Sequence, residues 1–114
     1  MTDPDCLFCR IAAGTIPADV VRTTDDTVAF RDIDPQAPTH VLVVPKQHHR
    51  DIATLSADDP ALAGRLMADA AAVAADLGHE QFRLVLNTGA TAGQSVFHVH
   101  AHVLAGRDLG WPPG

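Results

Sequence analysis

Residues 96–104 read Val-Phe-His-Val-His-Ala-His-Val-Leu, three histidines at strict two-residue spacing. Alternation of this kind marks a strand, and side chains two apart on a strand share a face. His98, His100 and His102 are therefore expected on one face, with Phe97, Val99, Ala101 and Val103 on the other. At ~3.3 Å per residue, His98 and His102 would start about 13 Å apart, too far to share one ion. The three rings need separate roles. An imidazole is largely unprotonated near neutral pH and nucleophilic there. If one ring nitrogen donates to a backbone carbonyl, the other presents a lone pair. A neighbouring imidazole can hold phosphate oxygens or give a proton to a leaving group. The loop Asn87-Thr88-Gly89-Ala90-Thr91-Ala92-Gly93-Gln94-Ser95 adds an amide, hydroxyls and backbone N–H groups, donors that stabilise phosphoryl charge. The pattern suits nucleophilic attack on phosphorus. Two of the histidines in a metal site, or a merely solvated strand face, are the competing readings.

The two cysteines stand together as Cys6-x-x-Cys9. Two thiolates are half of a closed tetrahedral zinc site, and His48 or His49 with one histidine of the triplet would complete Cys₂His₂. A reduced pair without metal is the alternative. A thioredoxin-like role lacks the βαβ pattern it requires. Asp32, in Phe30-Arg31-Asp32-Ile33-Asp34-Pro35, could accept hydrogen bonds from a ribose diol, although an aspartate before a turn is commonplace.

These residues need a scaffold. Val20–Thr23 and Thr27–Arg31 read as strands around a Thr24-Asp25-Asp26 turn, and His40–Pro45 as a strand buried on both faces. Asp59-Pro60 suits an N-cap and first helical residue. Leu62, Leu66, Ala70, Val73 and Leu77 then recur at helical spacing up to Gly78. Residues 6–13 suit a short helix ended by Gly14, and Phe82–Asn87 a fourth strand before the histidine strand. The expected fold is α+β: five antiparallel strands with one long and one short helix, in a single domain over residues 1–114.

The chain has 46% hydrophobic and 19% charged residues, which is globular rather than disordered. Its formal charge of −6 argues against a long nucleic-acid partner but not against a small phosphorylated ligand. Met-Thr-Asp-Pro-Asp-Cys has no signal-peptide character, and no apolar run approaches the ~20 residues of a membrane helix. A soluble, cytoplasmic protein without membrane association is expected.

Together these residues resemble the histidine-triad (HIT) family, whose signature alternates histidine with apolar residues as in His98-Val99-His100-Ala101-His102-Val103-Leu104. The resemblance extends through Cys6–Pro17, Asp32–Lys46, Gly93-Gln94-Ser95 and the tail Gly106–Gly114. The ending Trp111-Pro112-Pro113-Gly114 looks like the branch of small nucleotide-binding, phosphoramidase-type proteins. The resemblance implies a homodimer joining two five-stranded sheets into a ten-stranded one, with a purine nucleotide site on each protomer. It makes His100 the nucleophile, forming a nucleotidyl-histidine at the α-phosphate. His102 and Ser95 would contact phosphate and assist the leaving group. His40 would order the triad. Asn87, Gly93 and the backbone of Gln94, Ser95 and Val96 would hold phosphate, and Asp32 the ribose hydroxyls. Phe8, Ile11, Phe30, Ile33 and Leu42 match the nucleobase cleft, and Trp111 would reach towards the partner's site. In a zinc-binding subset the ligands match Cys6, Cys9, His48 and His98, with His48 favoured over His49 by its spacing from Pro45-Lys46.

The implied activity is hydrolysis of purine nucleoside phosphoramidates or related nucleoside monophosphate esters, with structural Zn2+. The alternatives are a nucleotide-binding or protein-interaction module with vestigial catalysis, a dinucleoside polyphosphate hydrolase, or a nucleotidyl transferase.

Overall fold

Strand β3, Thr39–Pro45, is buried at all seven positions and forms the middle of the molecule. Its Val-Leu-Val-Val run has apolar side chains for both faces, so it can carry packing above and below. In the computed structural model, which describes residues 3–114, four further strands flank it. They are β1 (Val20–Thr23), β2 (Thr27–Arg31), β4 (Arg83–Val85) and β5 (Ala101–Ala105), in the order β1-β2-β3-β5-β4. All neighbours pair antiparallel, with Val41 opposite Val103 and Leu42 opposite His102. The expected five-stranded α+β architecture is the one observed.

Alternation divides the sheet into two cores. Ala29, Val41, Val43, Ala101 and Val103 face two helices, α2 (Ile52–Asp58) and α3 (Pro60–Asp76), and meet Leu55, Leu62, Leu66, Ala70 and Val73. Alanines at 70 and 74 let α3 lie close to the strands. Val28, Phe30, Leu42 and Val44 face the other way and meet Phe8 of α1 (Leu7–Ala12). Six residues of helix cannot cover that face, and a cleft remains beside α1.

Helix α3 starts as its sequence indicates: Asp59 caps it through the Leu62 N–H at 3.1 Å, with Pro60 in the first turn. Helix α2 is an addition to the two expected helices. Asp51 caps it through the Thr54 N–H at 2.8 Å, but Leu55 is its only buried residue, so no periodicity betrays it. Among the described residues no helix is long and apolar enough to cross a membrane.

The histidine segment departs from the expected continuous strand. Ladder pairing begins only at Ala101, and the chain bends through residues 96–98. The Pro45 carbonyl accepts from the His98 ring, while the Val99 N–H donates to His49 O at 2.8 Å. Those bonds replace the ladder there. Val99, Ala101 and Val103 still enter the helix-side core, but Phe97 does not. It is exposed, with the Arg50 guanidinium 5.1 Å above its ring. The strand expected over 82–87 is likewise shorter, pairing only from Arg83 to Val85.

Candidate active site and metal cluster

The bend and the ladder give each histidine a different environment. His100 is buried, and its Nδ1–H donates to the His98 carbonyl at 2.8 Å. A neutral imidazole with Nδ1 protonated has an unprotonated Nε2. Phe8 meets this ring edge-on, with centroids 5.1 Å apart. Burial holds its pKa below 6.5, partly opposed by the His98 carbonyl and the Asp32 charge. His100 is thus a neutral ring with a free lone pair at neutral pH.

His102 lies opposite Leu42 on β3, and its Nδ1 is 2.9 Å from His40 Nε2. The Gln36 N–H donates to His40 Nδ1 at 3.0 Å, which places the His40 proton on Nε2. His40 then donates to His102 Nδ1, leaving the His102 proton on Nε2. Asp32 Oδ2 stands 3.5 Å from His40 Nε2, and its Oδ1 accepts from the Asp34 N–H at 2.8 Å. Burial, with His100 and His40 nearby, pushes the His102 pKa down to about 4. Side by side, one ring therefore offers an acceptor nitrogen and the other a donor. The proton on His40 Nε2 thus lies between two acceptors, His102 Nδ1 at 2.9 Å and Asp32 Oδ2 at 3.5 Å, which accounts for the close approach of the three residues.

His98 turns away from this pair. Its fully buried ring donates Nε2–H to the Pro45 carbonyl at 2.8 Å, so the lone pair is on Nδ1. That nitrogen is 3.3 Å from Cys6 Sγ, 3.4 Å from Cys9 Sγ and 3.2 Å from His48 Nδ1. Cys9 Sγ is also 3.4 Å from His48 Nδ1. Donors around a tetrahedral zinc at ~2.0–2.3 Å are separated by roughly 3.3–3.6 Å for N–N and N–S pairs. The four residues fit a metal ion in spacing and in chemistry. His49 stands outside the cluster, its Nε2 buried without a partner among the described residues.

A cleft of about 590 Å³ opens beside α1 and is lined by Phe8, Ile11, Phe30 and Leu42. Asp32, Ser95, His100 and His102 supply its polar wall, with Val96 beside them. Ile33 sits fully exposed at its rim. A second hollow, about 560 Å³, adjoins Ser95 and Val96 and reaches Cys6 and His48.

Ser95, which lines both, ends the glycine-containing loop. Gln94 is buried and its side chain is committed within the fold. It accepts from the Gly89 N–H at 2.9 Å and donates to Arg50 O at 2.8 Å and Val96 O at 3.1 Å. Its own N–H goes to Gly89 O. Gln94 therefore shapes the loop and has no donor left to give a phosphate, unlike the role expected for its backbone. Asn87 and Gly93, expected to hold phosphate, are not among the residues that line the cleft. Gly93 has φ +105°, and a Cβ there would lie 3.4 Å from Asn87 Nδ2.

The HIT domain model matches residues 13–109. The chain belongs to the HIT family. A HIT-like protein of Synechocystis is 49% identical over 111 residues, covering 96% of this chain and 97% of the relative. Another from Synechococcus elongatus is 47% identical with the same coverage. A crystal structure of a HIT family hydrolase from Legionella pneumophila superposes with a TM-score of 0.92 at 46% identity, covering 96% of this chain and all of that one. A histidine triad protein from Clostridium difficile also gives 0.92, at 37% identity, covering 96% of this chain and 97% of that one.

Several groups this HIT site depends on left no mark in the residue pattern. The Pro45 and His98 carbonyls and the Gln36 N–H set three imidazole tautomers, and backbone groups are the same at every position. The ring environments predict a titration. Burial disfavours imidazolium, so each ring stays neutral to a lower pH than a free histidine does. In metal-free protein, NMR titration is expected to find His98 and His102 protonating near pH 4 and His100 below 6.5. Midpoints at or above 6.5 for His100 and His102 would contradict the enclosed environment described.

Proposed function

We propose that this HIT protein is a nucleotidyl hydrolase acting on purine nucleoside phosphoramidates or related nucleoside monophosphate esters. The observation that carries this reading is the His100 ring, whose Nδ1–H is held by a carbonyl while the ring lines a cleft of nucleotide-compatible chemistry. Phe8, Ile11, Phe30, Ile33 and Leu42 take the base. Asp32, which retains acceptor capacity on both oxygens, takes the ribose diol. His100 Nε2 attacks the α-phosphorus; the P–N bond of the substrate breaks as the P–Nε2 bond forms. The electron pair goes to the leaving nitrogen, which takes a proton from solvent through the exposed Ser95 hydroxyl. His102 donates its Nε2–H to a phosphoryl oxygen, and the Ser95 and Val96 N–H groups add to that cradle. Water then attacks phosphorus and gives its proton to solvent, the P–Nε2 bond breaks with its electron pair returning to His100, and the nucleoside monophosphate leaves.

In this reading Cys6, Cys9, His48 and His98 hold zinc. When bound, zinc ties the N-terminal segment to the catalytic strand, and four protein ligands leave it no position for a catalytic water. The short edge strand β4, with Phe82 exposed beside it, supports a homodimer through continuation of the sheet. The paired thiols suit a reducing, cytoplasmic compartment.

A panel of adenosine and guanosine phosphoramidates beside diadenosine polyphosphates tests the assignment. Release of the nucleoside monophosphate from the phosphoramidates is expected to dominate. A clear preference for the polyphosphates would move the protein to the dinucleoside hydrolases, and no turnover of any compound would leave a binding module.

A further inference from the structure

We propose that Gly106 and Arg107, just beyond β5, are positioning residues that decide which nitrogen of His102 faces the substrate with a proton. The inference deepens the hydrolase reading and rests on it for its catalytic consequence, though not for its structural one. It begins with the single hydrogen bond from the Gln36 N–H to His40 Nδ1. If that donor moved away, His40 could carry its proton on Nδ1 and present a bare Nε2 to His102. The His102 proton would then be drawn to Nδ1, and the nitrogen facing the cleft would become an acceptor. An acceptor repels the phosphoryl oxygen that a donor would bind. This peptide N–H, acting with the Asp32 carboxylate 3.5 Å from His40 Nε2, thus sets the polarity of a catalytic ring two side chains away.

Two separate features brace the segment that carries that N–H. The Gln36 carbonyl accepts from Arg107 Nε at 3.1 Å and from Arg107 Nη2 at 2.9 Å. The remaining arm, Nη1, donates to Asp108 O at 2.8 Å, which braces the guanidinium against its own chain. Among the described residues Arg107 makes no ion pair, so its donors go to main-chain geometry alone. Gly106 supplies the second contact. Its φ is +96°, and a Cβ there would lie 3.0 Å from Pro38 Cβ and 3.3 Å from Pro38 Cγ. Only a residue without a side chain lets the backbone press this closely on Pro38. The two contacts extend the β3–β5 ladder, whose last pair is Thr39 with Ala105. Arg107 lines a different hollow, beside Phe82 and Arg83, and does not reach the nucleotide cleft. It acts through Gln36.

Full-length Arg107→Ala, Arg107→Lys and Gly106→Ala proteins test the clamp by two readouts. Long-range ¹⁵N imidazole spectra report which nitrogen of His40 and His102 bears the proton, with or without turnover. Steady-state kinetics on an adenosine phosphoramidate separate kcat from KM. Wild-type protein is expected to show Nε2–H on both rings. Arg107→Ala and Gly106→Ala are expected to mix the tautomers and lower kcat about tenfold, with KM changed less than twofold. Arg107→Lys, keeping a cation but not the fork, is expected to recover part of both. Folded variants that retain wild-type tautomers overturn the proposal, whatever their rates. If one variant does not fold, the other decides, since they disturb Gln36 and Pro38 separately. Mixed tautomers in variants of a wild type that hydrolyses nothing would uphold the clamp and overturn the hydrolase assignment instead.

Discussion

Replacing His100 with alanine is expected to lower turnover of an adenosine phosphoramidate by roughly 10³-fold or more while nucleotide still binds. The asymmetry follows from the division of labour in the cleft. His100 alone combines an unprotonated Nε2 with a ring lining the cleft, because the His98 carbonyl fixes its Nδ1–H. The apolar wall proposed to take the base is built by Phe8, Phe30 and Leu42 from α1, β2 and β3, and none of these depends on the lost nitrogen. A nucleoside monophosphate should therefore retain its affinity within about tenfold. Removing a buried ring also takes packing from Phe8, so His100→Asn is the companion variant. It fills more of the space and has no nucleophilic nitrogen. Both variants should accumulate no nucleotidyl-enzyme in acid-free quench and mass analysis. Turnover within tenfold of wild type in either would sink covalent catalysis by this residue.

The second large effect is expected at the metal cluster. Protein purified without added metal should contain about one zinc per chain, and Cys9→Ser should contain almost none. Cys9 is buried, and burial raises its thiol pKa, so the thiolate form needs a cation beside it. Binding must therefore release protons, and affinity should fall as the pH is lowered. Losing a closed site in a domain of this size is expected to cost at least about 2 kcal/mol, or roughly 10 °C in Tm. Cys6 and Cys9 lie on either side of the start of α1, whose Phe8 lines the cleft beside His100. Chelation should accordingly weaken nucleotide binding as well as stability. Metal-free protein whose melting is unchanged by a strong chelator would retire the site.

The parts of this architecture that were legible in advance are those in which side chains repeat. Val20–Thr23 and Thr27–Arg31 alternate around a turn and form strands with those bounds. Asp59-Pro60 and the apolar spacing of α3 mark a helix because cap and buried stripe agree. Helix α2 was hidden by its length, and the bend at 96–98 by the histidine alternation itself, which continues through residues that no longer pair. The identities of the four cluster donors were accessible through the cysteine spacing and the density of histidines. Their convergence was not, because it depends on the Pro45 carbonyl turning the His98 ring. Gln94 shows the opposite failure: a polar residue in a phosphate-type loop whose every donor is occupied at home.

His98 joins the cluster through its ring and holds the His100 ring through its carbonyl. These are separable inheritances. A lineage could exchange the ring for another ligand, or abandon the ion, and still keep its chemistry if something else anchored that one oxygen. Conversely, a ring retained on a backbone that had drifted would preserve the ion and lose the catalyst. What the site needs at this position is an address for a carbonyl, and the imidazole is one means of delivering it.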